Sequence, residues 1–143
     1  MIKTLTLCLL AFAPTFAAEL ANSFGPINVV PGQTLRLCAN NTYGDETIGV
    51  RFMFVDASTG RVVEFHDATL TAGQGTCFSA QATATSTRSL IGLLTPAPNA
   101  RGGWDRPVTV GAVAGHLVEV ATGKTAVFLP AVQRFNVILP AVQ

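Results

Sequence analysis

Residues 48–56 read I-G-V-R-F-M-F-V-D, and the next ten, 57–66, read A-S-T-G-R-V-V-E-F-H. In the first run Val50, Phe52 and Phe54 share one face, and Arg51 and Met53 take the other. That is a period of two, the pattern of a half-buried β-strand. Asp56 to Arg61 then reads as a type I turn closed by a glycine in the left-handed region, and Val62 to His66 as the returning strand. The same device recurs near the end: Leu117 to Val120, then A-T-G-K at 121–124, then Thr125 to Leu129. Both turns carry Thr-Gly followed by a basic residue, which we read as shared turn chemistry and not as a binding motif.

Outward from this hairpin, short alternating runs sit between turn clusters. Ile27 to Val30 and Thr34 to Asn40 flank the tight turn at Pro31-Gly32-Gln33. Further strands are expected over Thr76 to Gln81, Ser89 to Thr95 and Val108 to Ala114. No stretch shows a helical period with caps. The pattern predicts an all-β fold, an immunoglobulin-like antiparallel β-sandwich of about eight or nine strands.

The chain of 143 residues is one domain's worth. It opens with Met1-Ile2-Lys3, an apolar run from Thr4 to Phe16 and a small-residue exit at Ala17-Ala18. This predicts a signal peptide over residues 1–17, a β-sandwich domain over 18–133 and a duplicated strand or tail over 134–143. The apolar run is too short for a stable membrane span, and Cys8 within it lacks the small neighbours of a lipid-attachment cysteine. Export makes the location secreted or periplasmic. Nine basic residues less Lys3 leave eight, against eight acidic ones. A nucleic-acid partner needs a basic footprint, so none is expected.

Cys38 and Cys77 then remain as a pair, which in an exported chain predicts a disulfide. Cys38 is out of phase with Leu35 and Leu37, and Cys77 with Phe78 and Ala80. Both sulfurs should therefore point away from the core, linking strands on an outer face or at an edge. Trp104 falls in a loop, so the antibody-domain arrangement of a tryptophan beside a core-crossing bridge is not expected.

Three stretches, P-G-Q-T-L-R-L at 31–37, F-V-D-A-S-T-G-R-V at 54–62 and A-T-G-K-T-A-V-F-L at 121–129, resemble small secreted bacterial β-sandwich proteins with no assigned activity. The resemblance implies a bacterial, exported sandwich and brings no catalytic residue with it.

Signatures for chemistry are missing: there is no G-x-S-x-G, H-E-x-x-H or phosphate loop. His66 reads as a solvated histidine on the same face as Val62 and Glu64, and His116 as half-buried with a backbone partner. The loop N-N-T-Y-G-D-E at 40–46 has calcium-type oxygens on Asn41, Asp45 and Glu46, an incomplete set that reads as an ordinary polar loop. No catalytic residue, metal or cofactor is expected. The best ligand candidate is the loop carrying Arg101, Trp104, Asp105 and Arg106, where an aromatic beside two guanidiniums suits a glycan. Its alternative is a Trp104 that folds back over the end of the sandwich.

The last feature is a repeat. K-T-A-V-F-L-P-A-V-Q at 124–133 is followed by R-F-N-V-I-L-P-A-V-Q at 134–143. A shift of ten residues keeps every side chain on its face, so the second copy suits the first copy's slot. Either it adds an edge strand or tail, or it pairs with an open edge on another molecule. The expected role is non-enzymatic: a structural or protein-interaction module whose partner is either another protein or, through the C-terminal strand, a second copy of itself. The alternative is a small carbohydrate- or ligand-binding module using the Arg101–Arg106 loop.

Overall fold

The computed structural model describes residues 21–42, 47–97 and 112–134. These form nine strands: β1 (Ala21–Val29), β2 (Gln33–Asn40), β3 (Ile48–Asp56), β4 (Val62–Leu70), β5 (Gly75–Ser79), β6 (Arg88–Pro96), β7 (Ala112–Glu119), β8 (Thr125–Leu129) and β9 (Val132–Arg134). They make two antiparallel sheets, ordered β4-β3-β6-β1-β9 and β5-β2-β7-β8. There is no helix among the described residues, so none that is long and apolar enough to cross a membrane.

The sheets face each other across one core. Val50, Phe52 and Phe54 of β3 meet Leu35, Leu37 and Ala39 of β2, as their alternation requires. The two layers interlock at two glycines. The ring of Phe24 lies over Gly115, where an added Cβ would stand 2.5 Å from Phe24 Cδ1. Leu37 lies over Gly92, where a Cβ would stand 2.6 Å from Leu37 Cδ2. A second apolar cluster, Met53, Val55 and Leu93 with Val62 and Ile91, lies on the opposite face of the five-stranded sheet.

Both hairpin turns share one set of bonds. Gly60 and Gly123 take φ of 70° and 68°. Their N–H groups donate to Asp56 O and Glu119 O, each at 2.8 Å. Thr59 Oγ1 and Thr122 Oγ1 then accept the N–H two residues on, from Arg61 and Lys124, each at 3.3 Å. Thr-Gly-base is therefore a turn motif, in which threonine caps the backbone of the basic residue and glycine supplies the left-handed step.

Three expectations need correction. The runs Val108–Ala114 and Leu117–Val120 are not separate strands. From Ala112 to Glu119 they are one strand, because β7 pairs with β2 without a break from Asn40↔Ala112 to Gln33↔Glu119. Residues 108–111 lie outside the described residues. The first strand begins at Ala21, not Ile27, because an irregularity between Phe24 and Ile27 accommodates Gly25 and Pro26 within the ladder.

His66, the third, points into the sandwich. A bulge in β4 pairs Val62 with Val55 and Glu64 with Phe54, so Val63 is extra and Val62 lies on the opposite face from Glu64 and His66. The His66 ring stacks on Phe78 at 4.6 Å, and Phe78 packs on Phe52 at 5.0 Å. Glu64 Oε1 is 2.6 Å from His66 Nε2, and Glu64 Oε2 accepts the Gln81 N–H at 2.9 Å. This cluster clasps edge strand β4 of one sheet to the β5 side of the other. On the opposite side the chain itself crosses between sheets, at Pro130-Ala131.

Two carboxylates give the fold an acid limb. Hydrogen bonds from the Ser58 side chain and the Thr59 and Ser58 backbone hold the Asp56 carboxyl below its usual 3.8. The Arg51 guanidinium, donating to both Asp67 oxygens at 2.7 and 2.8 Å, does the same for Asp67. Each folded value is depressed, so the stability each adds is present above the unfolded value. It is lost as pH falls from about 4 through the folded value. Urea midpoints measured from pH 7 to pH 2 should fall below about pH 4. The Asp67→Asn variant should show a shallower fall.

Candidate functional site

The expected disulfide is present. Cys38 and Cys77 face each other in the β2–β5 ladder, with Cα atoms 4.0 Å apart and S–S of 2.00 Å. Leu35, Leu37 and Ala39 turn inward, so the bridge lies on the outer face, and β5 is an edge strand. Both parts of the expectation, outer face and edge, hold. A cavity of about 520 Å³ opens beside it, lined by Cys38, Cys77, Asn40 and Ala114 among others, with no charged side chain among the described residues of its wall.

Asn41 is a structural residue. Its side chain is fully buried and its Nδ2 donates to Leu70 O at 3.0 Å. Its backbone N–H donates to Gln74 O, and its carbonyl accepts the Gly73 N–H, both at 2.9 Å. These bonds tie the end of β2 to the turn between β4 and β5. Asp45 and Glu46 lie outside the described residues, and so do Arg101, Trp104, Asp105 and Arg106. Among the described residues no three His, Cys, Asp or Glu side chains group as metal ligands. The two histidines stand on different sheets: His66 faces inward from β4 of one, and His116 lies in β7 of the other. His116 has no backbone partner at Nδ1, which is buried and unbonded, and its ring tilts against Phe128 at 4.9 Å.

The C-terminal repeat now has a location. The first copy supplies parts of both sheets: Thr125–Leu129 is β8, the edge of the four-stranded sheet, and after Pro130 the chain enters β9 beside β1. Arg134, the first residue of the second copy, ends β9 and pairs with Ala21. Residues 135–143 lie outside the described residues.

β8 has β7 on one side and no described strand on the other. Its apolar side chains are open on both faces: Val127, opposite Leu117, is 46% exposed, and Phe128, opposite His116, is 72% exposed. Elsewhere the exposed large apolar residues include Val63 and Phe65 of β4. There, however, the Arg51 guanidinium covers the Phe65 ring at 4.8 Å and Asp67 puts a charge on the same strand. Lysines, charges and bulges blunt edges against pairing. β4 has a bulge and a charge, whereas β8 has a bulge at Ala126, where Val127 pairs with Leu117 and Thr125 with Val118, but no charge in its five residues T-A-V-F-L.

The fold and this edge define an all-β protein of two antiparallel sheets with an outer-face disulfide and, in β8, an uncharged apolar edge strand. No known family model, curated protein or solved structure matches the chain.

Proposed function

We propose that this chain is an exported, non-enzymatic β-sandwich of immunoglobulin-like type that works by association. Residues 1–17 act as its signal peptide. The open edge of β8 takes up the second repeat copy of another molecule of the same chain. The observation that carries this reading is an uncharged, exposed apolar edge strand followed immediately downstream by a near copy of its own sequence. Val137 and Ile138 repeat the alternation of Val127 and Phe128. A strand with that alternation presents one apolar residue to each face of the extended sheet, and its backbone satisfies the free N–H and C=O groups of β8. The bridge supports the compartment, since disulfides persist in oxidising environments.

The test is mass in solution by light scattering. The intact chain should be larger than a monomer and dissociate on dilution. A chain lacking residues 135–143 should be monomeric at the same concentration, with its fold and disulfide kept. Phe128→Glu in the intact chain should weaken association about tenfold or more, as loss of a central aromatic contact does. Equal mass with and without residues 135–143 rules out strand exchange.

A further inference from the structure

Four side chains form a row across the outer face of the four-stranded sheet. The ladders put Ser79 beside Arg36, Arg36 beside His116, and His116 beside Phe128. At about 4.8 Å per strand, a hydroxyl, a guanidinium, an imidazole and a phenyl ring follow one another. Arg36 is half-buried. Its Nε donates to Ser79 Oγ at 3.1 Å, which fixes the guanidinium plane and leaves both Nη groups without a hydrogen bond to any described residue. Nor does it have a carboxylate partner among the described residues, where the ion pairs are Arg51–Asp67 and Glu64–His66. A half-buried cation held in one plane with its fork open is suited to a planar anion.

One step along the strands, Thr34 pairs with Val118. They line a cavity of about 280 Å³ together with Arg36, Ala80, Ala82 and Val120. The Thr34 hydroxyl is already spent on Ala80 O, so the floor offers mainly apolar surface. Glu119 also lines the cavity, and its Oε2 accepts the Thr122 hydroxyl at 3.2 Å. The volume falls just below the roughly 300–1,000 Å³ of drug-sized sites. One guanidinium with a carboxylate elsewhere in the wall favours a single negative charge over a phosphate dianion.

We infer that this cavity binds a monocarboxylate with a short apolar body, of medium-chain fatty-acid size, its carboxylate on Arg36 and its chain over Val118. The site is separate from the free edge of β8 and stands whether or not the chain self-associates.

The probe is octanoate, titrated into the intact chain by calorimetry, with octanamide to remove the charge and acetate to remove the apolar body. Octanoate should bind saturably, and octanamide and acetate at least about tenfold more weakly. Arg36→Gln should weaken octanoate about tenfold. Ala82→Phe, a change at an exposed wall position that fills the cavity, should weaken it by a similar factor without changing the unfolding midpoint. The inference is overturned if octanoate does not saturate below its micelle concentration, or if octanamide binds as tightly. It is equally overturned if Ala82→Phe folds and keeps wild-type affinity.

Discussion

Gly115→Ala is expected to destabilise the protein by about 1–3 kcal/mol in urea unfolding with the disulfide intact, the range for overpacking a full core. Propensity alone argues the other way, since alanine in place of a strand glycine should gain about 0.5–1 kcal/mol. Contact decides the sign. The new Cβ would lie 2.5 Å from Phe24 Cδ1 and 2.9 Å from Cγ, distances that require the ring to move. Phe24 is fully buried within the shared core, and an aromatic ring cannot yield by turning its tip. Gly92→Ala meets Leu37 Cδ2 at 2.6 Å instead. A leucine can give by rotating its terminal methyls, so the loss there should be smaller than at Gly115. The coupling is also testable. In a Phe24→Leu background the cost of Gly115→Ala should shrink, because the rigid ring that opposes the methyl is gone. A neutral Gly115→Ala in the wild-type background would mean that the sheets do not approach as closely as this interlock requires.

The interlock shows where sequence pattern stops being informative. Alternation named β3 and β8 to the residue, because each is a run bounded by turn residues whose chemistry is local. The inward phase of Leu35 and Leu37 also set both cysteines outward, a deduction that needed only one strand at a time. His66 was misplaced by the one event alternation cannot see, an extra residue at Val63 that reverses the phase for Glu64 and everything after it. Gly115 divided β7 into two apparent runs. Its reason for being glycine is Phe24, some ninety residues earlier and in the other sheet.

The candidate sites divide in the same way. The repeat at 124–143 can be read directly, but that its first half is an open edge depends on the order β5-β2-β7-β8, which joins strands distant in sequence. Arg36 could be placed outward from Leu35 and Leu37. Its neighbours Ser79 and His116 lie on strands that pairing alone brings together. A lone arginine in a strand carries no signal of that company. The Arg101–Arg106 loop drew attention for the opposite reason, since its aromatic and cationic residues are adjacent in sequence.

The second large effect is expected at the bridge. Removing it with Cys38→Ala and Cys77→Ala together should cost about 4 kcal/mol, the chain-entropy figure for a loop of this length. The cysteines are separated by 39 positions. The two residues are already opposite one another in the β2–β5 ladder, so the native strands need no rearrangement when the bridge is lost. The cost should therefore arise mainly in the unfolded chain, which regains the freedom of residues 38–77. Two measurements separate this from a local role. β5 is a five-residue edge strand with a single ladder, so a purely local rivet would let its amides exchange faster while the global midpoint hardly moved. An entropic clamp lowers the midpoint and raises the denaturant slope, because the unlinked chain exposes more surface on unfolding. We expect the second pattern. Domains carry only about 5–15 kcal/mol in total, so the unbridged protein would keep a narrow margin.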